Sequence, residues 1–393
     1  MALTPFISQD KASGELQNAV LELMQLDATL SANIPQSLRL PMIDLVRQVN
    51  SFYSNKIEGN LTPPADVLRA QENPTSENAA EDLLEIKRHI EAQRRLSAEP
   101  IDQVAICSRE SIARIHRVFY QGIPAENMHI KINSDGETAF LVPGEFRTQG
   151  VRVGQHTPPS AEAMSSYWTW FERTYRLDRL HGVSPILAAA AAHHRLMWIH
   201  PFLDGNGRTG RLFTDQYLRA AGLGSYGLWT ISRGFGADVE AYYGALAAAD
   251  HVRKGDLDGR GELSDSGLLK FTEYFIATAL EQVRYFSSLL EPRMLSQRID
   301  NYFEMRKQGA LLSTTGMELP VLRIEARDVY RRLLNYGPME RSEIRAMLSM
   351  SESFVHNLLN QMVDEGLICQ EGCKPVSLRL SRHSIDFLFP ALF

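Results

Sequence analysis

The stretch from Ser184 to Gly222 dictates a helix, a break and a second helix, and this sequence of events constrains the chain more than any other. Ser184 can cap a helix with Pro185 at its first position, and "ILAAAAAHHRLMWI" continues with strong helix formers. Pro201 disfavours the α conformation at the residue before it, so the helix should end near His200 and leave that side chain facing a loop. In "DGNG", Gly205 and Gly207 permit positive φ and leave backbone N–H groups free to converge on an anion. "RTGRLFTDQYLRAAG" then restarts a helix whose N-terminal dipole and unpaired amides favour phosphate. Arg208 and Arg211, three apart on its first turn, can clamp neighbouring phosphates. With His200 and Asp204 at the rim, the loop reads as a phosphate cradle carrying a base and an acid.

Other readings of these letters fare worse. "GNGRTG" matches the dinucleotide pattern G-x-G-x-x-G, but that pattern needs a buried strand before it, and here an Ala-rich helix precedes it. Zinc hydrolase motifs place two histidines and a glutamate on one continuous helix, which Pro201 and the glycines forbid. A single hard carboxylate, Asp204, suits Mg²⁺ shared with phosphate oxygens. The P-loop pattern G-x-x-x-x-G-K-[ST] is absent.

Elsewhere the apolar residues recur every three to four positions, as in "AAEDLLEIKRHIEAQRRL", so the fold class is mainly α. At 393 residues two or three domains are expected. "NSDGETAFLVPGEFRTQGVRVGQ" is the exception: Asp135-Gly136 is a turn dipeptide and "VRVG" alternates like a strand, which places a small β-hairpin before Pro158 and Pro159. "STTGMELP" (Ser313 to Pro320) marks a linker. After it come three helical stretches and "CQEGCKPVSLRLS", an order that resembles a winged helix-turn-helix. Its third helix offers His356, Asn357, Asn360 and Gln361 but no lysine or arginine, so DNA binding and a protein-contact role both stay open. The net charge of -6 argues against coating by polyanions. Cys107, Cys369 and Cys373 read as free thiols in a reducing compartment. No leader segment and no run near the roughly 20 apolar residues of a membrane span is found, and a cytoplasmic protein is expected.

His200, Phe202, Asp204, Gly205, Asn206, Gly207, Arg208 and Arg211 fit every position of the signature H-x-F-x-[D/E]-G-N-G-R-x-x-R, and residues 106–255 resemble the Fic family. The resemblance implies a Fic-type helical core with a hairpin flap. It also implies a protein adenylyltransferase, which moves AMP from ATP to a Ser, Thr or Tyr hydroxyl of a target protein. His200 would be the general base, Asp204 the Mg²⁺ ligand, and Gly205, Asn206 and Gly207 the anion hole. Arg208 and Arg211 would neutralise the β- and γ-phosphates, and Phe202 would anchor the loop. Tyr242 and Tyr243 resemble adenine-side residues, though on a helix they read equally as one core and one surface residue. Flap residues Phe146, Arg147, Val151 and Val153 would face the target, held as an added strand.

"SNKIEGN" resembles the family's inhibitory [S/T]-x-x-x-E-[G/N] segment, with Ser54 and Glu58 on one helix face. Glu58 could pair bidentately with Arg211 and take the place of the γ-phosphate. Two rivals are a Glu58-assisted removal of AMP and a nucleotide-sensing transcription regulator acting through the winged helix. The expected organisation is an N-terminal helical region (1–105), a catalytic core (106–255), a connector (256–320) and a winged-helix domain (321–393). A homodimer stays open.

Overall fold

A computed structural model describes residues 3–63, 81–131, 138–154, 156–259, 261–313, 316–370, 372 and 374–393. The Asp135-Gly136 turn and Cys373 lie outside the described residues. The elements are α1 (Gly14–Asn33), α2 (Gln36–Ile57), α3 (Glu81–Ala98), α4 (Arg109–Tyr120), β1 (His129–Lys131), β2 (Thr138–Phe140), α5 (Ala161–Thr174), α6 (Ser184–Ile199) and α7 (Asn206–Ala220). They continue with α8 (Ile231–Ala237), α9 (Val239–Asp250), α10 (Asp265–Leu289), α11 (Pro292–Gln308), α12 (Glu325–Tyr336), α13 (Arg341–Leu348), α14 (Glu352–Asp364), β3 (Ile368–Cys369), β4 (Ser377–Leu378) and α15 (Arg382–Leu388). The protein is mainly α. It divides, at points within α1, α2 and α10, into two units, Met1–Ala28 with Arg47–Arg284 and Thr29–Val46 with Tyr285–Phe393.

In the first unit α6 is the central helix. Ile186 through Leu196 are all buried: Ile186 to Ala192 are apolar or small, and the buried His193 and His194 are hydrogen-bonded to Thr214 and the Leu246 carbonyl. Alanines let neighbours approach closely, and Gly210 on α7 extends this. A Cβ there would lie 2.8 Å from Met197 Sδ of α6. The helix begins at Ser184 itself, one residue earlier than expected. Val183 occupies the cap position without a side-chain bond, and Pro185 sits in the first turn, where its missing N–H costs nothing. The helix stops at Ile199, with His200 in the left-handed region at φ 51 and ψ 65.

The hairpin flanks residues 132–137: β2 lies inside the expected stretch and β1 just before it. β1 and β2 pair antiparallel, His129 opposite Phe140 and Lys131 opposite Thr138. "VRVG" is not a strand: Val153 and His156 exchange backbone hydrogen bonds at 3.0 and 2.9 Å, and Gly154 turns the chain at φ 57. The local turn geometry overrides the alternating pattern.

In the second unit α12, α13 and α14 are followed by the antiparallel pair β3–β4, with Met339 bridged to Val376. A buried Arg306 on α11 meets Glu365, just after α14, at 2.6 Å. On α14, the His356 and Asn360 side chains are 2.9 Å apart and both bond Arg341. Cys107 and Cys369 are free thiols. Among the described residues no helix is long and apolar enough to cross a membrane.

Candidate active site

The site is assembled where α6 stops and α7 starts. His200 Nδ1 lies 3.2 Å from the Met197 carbonyl, so Nδ1 carries the proton in the neutral ring and Nε2 keeps its lone pair. Burial lowers the imidazole pKa to about 4; His156 and Arg147 push the same way, while the Met197 carbonyl and Glu58 oppose them. At neutral pH the ring is therefore an uncharged base. It lines a cavity of about 920 Å³ with Trp198, Tyr243, Leu246, Asp250 and Val153.

Phe202 is fully buried, stacked on His116 at 3.9 Å between ring centroids and edge-on to Phe146 at 5.2 Å. Asn206 accepts from the Phe202 N–H and donates to the Phe202 carbonyl, each at 2.9 Å. Its side chain thus braces the loop from inside and leaves the backbone to face an anion. Gly205 has φ 71, and a Cβ on it would meet the Tyr120 ring at 2.7 Å, so only glycine fits. Phe202→Ala should lower stability by about 3–5 kcal/mol, because the ring leaves an unfilled cavity under the loop. Chemical denaturation checks this, and a loss below 1 kcal/mol by that measurement, well under the ~3 kcal/mol floor for such sites, would count against Phe202 as the anchor.

Asp204 accepts from the Tyr120 hydroxyl at 2.7 Å and lies 3.5 Å from Arg208 Nη2. Burial alone would raise its pKa, but Arg208 and the Tyr120 hydroxyl outweigh it and hold the carboxyl below its ordinary value. Arg208 also pairs with Glu85 of α3 at 2.6 Å and lies over the Phe119 ring at 4.9 Å. Arg211 Nη2 meets Glu58 Oε1 at 2.5 Å, while Nε and Nη2 donate to the Ser54 hydroxyl and carbonyl at 2.8 and 2.9 Å. The pair therefore runs through one carboxylate oxygen and is not the expected bidentate fork. α2 ends at Ile57, which puts Glu58 in the turn after it; Ser54 takes Nε and shares Nη2, while the buried Nη1 makes no hydrogen bond among the described residues. Glu58 Oε1 also lies 2.1 Å from where a Cβ on Gly207 would be, directly on the N-terminus of α7. Asn50 of α2 donates to Asp215 of α7 at 2.8 Å and holds the two helices together beneath this contact.

The two tyrosines separate. Tyr242 is fully buried, with its hydroxyl 2.9 Å from His193 Nε2 and its ring stacked on Phe235, so it is a core residue closed to a ligand. Tyr243 lines the His200 cavity and donates to the Ile57 carbonyl at 3.0 Å. The flap residues separate too. Val153 is exposed and lines the cavity, and Val151 is half-buried. Phe146 packs on Trp168 and Phe202 while staying partly exposed, whereas Arg147 is only 3% exposed and does not present its side chain to a target. Tyr120, His116 and Glu85 bear on the loop without having been expected. Each sits on an amphipathic helix where sequence gives no sign distinguishing it from ordinary core or surface residues.

With this geometry in place, comparison with known proteins finds that residues 106–218 match the Fic/DOC family. These residues are a Fic domain. Protein adenylyltransferase Fic of Drosophila erecta and that of Drosophila ananassae are each 43% identical over 79 residues, which is 20% of this chain and 16% of theirs. The chain thus matches a small part of the length of those curated relatives. A crystal structure of a Fic family protein from Desulfovibrio desulfuricans G20 superposes with a TM-score of 0.55 at 17% identity, over 96% of this chain and 98% of the other. A Fic domain containing signaling protein from Bacteroides thetaiotaomicron VPI-5482 gives 0.51 at 22% identity, over 70% and 98%. Both show the shared fold. The Fic domain here supplies His200, Asp204, Arg208 and Arg211, whereas Ser54, Glu58 and Glu85 reach the loop from segments before it and Tyr243 from one after it.

Proposed function

We propose that this chain is a protein adenylyltransferase held in check by Glu58. The observation that carries the reading is a neutral imidazole at a cavity wall beside a helix N-terminus flanked by two arginines. In this reading His200 Nε2 takes the proton of an acceptor hydroxyl as its oxygen bonds to the α-phosphorus of ATP. The bond between that phosphorus and the α–β bridging oxygen breaks, and pyrophosphate leaves with the electron pair. Arg208, Arg211 and the α7 amides offset the charge on the departing phosphates. Glu58 holds Arg211 and the space over Gly207, so an incoming phosphate must displace it.

Among the described residues no cluster of three or more His, Cys, Asp or Glu side chains could hold a metal alone. Asp204, an anionic oxygen donor, fits a hard cation that takes its remaining ligands from phosphate and water. Bound there, Mg²⁺ would supply neutralisation of the α- and β-phosphates. Asp204→Ala should raise the Mg²⁺ concentration for half-maximal rate at least about tenfold, the smaller loss seen when merely an outer partner of a metal ligand is removed. A Mg²⁺ titration with unchanged midpoint would remove Asp204 as the ligand.

The test uses the Glu58→Gly chain with Mg²⁺ and either α- or γ-labelled ATP, reading label on the protein itself. AMP transfer leaves the α-label and no γ-label. Retention of γ-label would indicate phosphoryl transfer, and no label from either would shift weight to AMP removal or to nucleotide sensing.

A further inference from the structure

We propose that Arg147 is the positioning residue of the His200 base: its guanidinium holds the left-handed turn that aims the imidazole into the cavity. The inference rests on the reading of His200 as the base.

A helix leaves its last carbonyls without partners, and a left-handed residue at its end is usually glycine, because a side chain crowds the backbone there. Here the left-handed residue is a histidine, at φ 51, so something must hold it. Arg147 Nε donates to the His200 carbonyl at 2.8 Å and Nη2 to the Ile199 carbonyl at 3.3 Å. Nη2 and Nη1 also donate to the carbonyls of Pro159 and Gln149 at 2.6 and 3.0 Å, and the Arg147 N–H donates to Pro201 at 2.8 Å. One planar cation thus caps α6, fixes the residue on both sides of the turn and ties the 147–159 segment to it. A lysine has no rigid fork to span these acceptors.

Every one of these acceptors is a main-chain carbonyl outside the Gly205–Arg211 loop, so Arg147 acts on the base and not on the anion site. Its charge is also one of the groups that keep the imidazole neutral. The other titratable groups around His200 are His156 from the same segment, Glu58 after α2, Tyr243 and His251 lining the same cavity, and Asp250 at the end of α9, which shares that cavity and lies 3.9 Å from His156.

The experiment compares Arg147→Gln and Arg147→Lys in the Glu58→Gly chain, with thermal melting, kcat and KM for ATP, and the His200 imidazole titration followed by NMR. Both variants should lose roughly ten- to a hundredfold in kcat with KM for ATP unchanged, the cost of a misplaced reacting group. Arg147→Gln should also raise the His200 pKa, which moves the acid limb of kcat to higher pH; Arg147→Lys, keeping the charge, should leave the titration near its starting value. Folded variants with unchanged kcat, or a loss carried by KM with both titrations unmoved, would overturn the proposal, and so would collapse of both folds, which makes Arg147 a core residue only. If no chain transfers AMP, the adenylyltransferase reading fails, while the His200 imidazole resonances still test the positioning role: both variants should displace them from the parent shifts, and unmoved resonances in both would overturn it.

Discussion

His200→Ala in the Glu58→Gly background is expected to lose roughly 10²–10⁴-fold in AMP transfer, the range that a positioned general base supplies. Three features fit the imidazole to that work. Pro201 ends the helix before it, the Met197 carbonyl accepts a hydrogen bond from Nδ1, and burial keeps the ring uncharged. Because the buried ring has its pKa lowered to about 4, the protonated, inactive form appears only well below the pH at which an ordinary histidine would be silenced. The kcat profile of the Glu58→Gly chain should stay level from neutral pH down past the ordinary histidine value and fall only on approach to the lowered one. Binding of ATP to His200→Ala, followed by calorimetry, should persist, since the groups proposed to meet phosphate, Arg208, Arg211 and the helix N-terminus, lie on α7. A folded His200→Ala chain that transfers AMP at the parent rate would falsify the assignment of the base.

Glu58→Gly alone should raise transfer by roughly tenfold to a hundredfold over the unaltered chain. A hydrogen bond to a charged group is worth about 1.5–3 kcal/mol, and this one must be broken before a phosphate can reach Arg211. The half-exposed carboxylate softens that figure by solvent screening. Its position over Gly207 works in the other direction, because any phosphate at the α7 N-terminus must occupy the same space. Ser54→Ala removes a single neutral acceptor from Arg211 and should release much less. The comparison is of self-labelling rates for the three chains at one ATP concentration. A folded Glu58→Gly protein no faster than the unaltered one would sink the brake, and a faster Ser54→Ala than Glu58→Gly would move it from the carboxylate to the serine.

Much of the loop was legible because its determinants act over a few residues. Pro201 restricts His200, the glycines open positive φ, and the spacing of Arg208 and Arg211 follows from the helix that Asn206 begins. The mainly helical fold was legible for the same reason, through apolar period. The strand assigned to "VRVG" failed where a local turn competed with a two-residue alternation too short to decide. "SNKIEGN" pointed to Glu58 and Arg211, but Glu58 lies just past the helix end and Ser54 shares the guanidinium, so the contact is through one oxygen and not a fork.

What the sequence by itself determined is the break between α6 and α7 and the chemical groups placed on it, since proline, glycine and helix periodicity are short-range effects. Only the tertiary structure decided which distant side chains hold those groups. Tyr120 on Asp204, Glu85 on Arg208, Arg147 on the His200 carbonyl and the burial of Tyr242 all join residues far apart in the chain. Such contacts are chosen by the packing of whole helices, in which a tyrosine or an arginine carries no local mark of the partner it will meet.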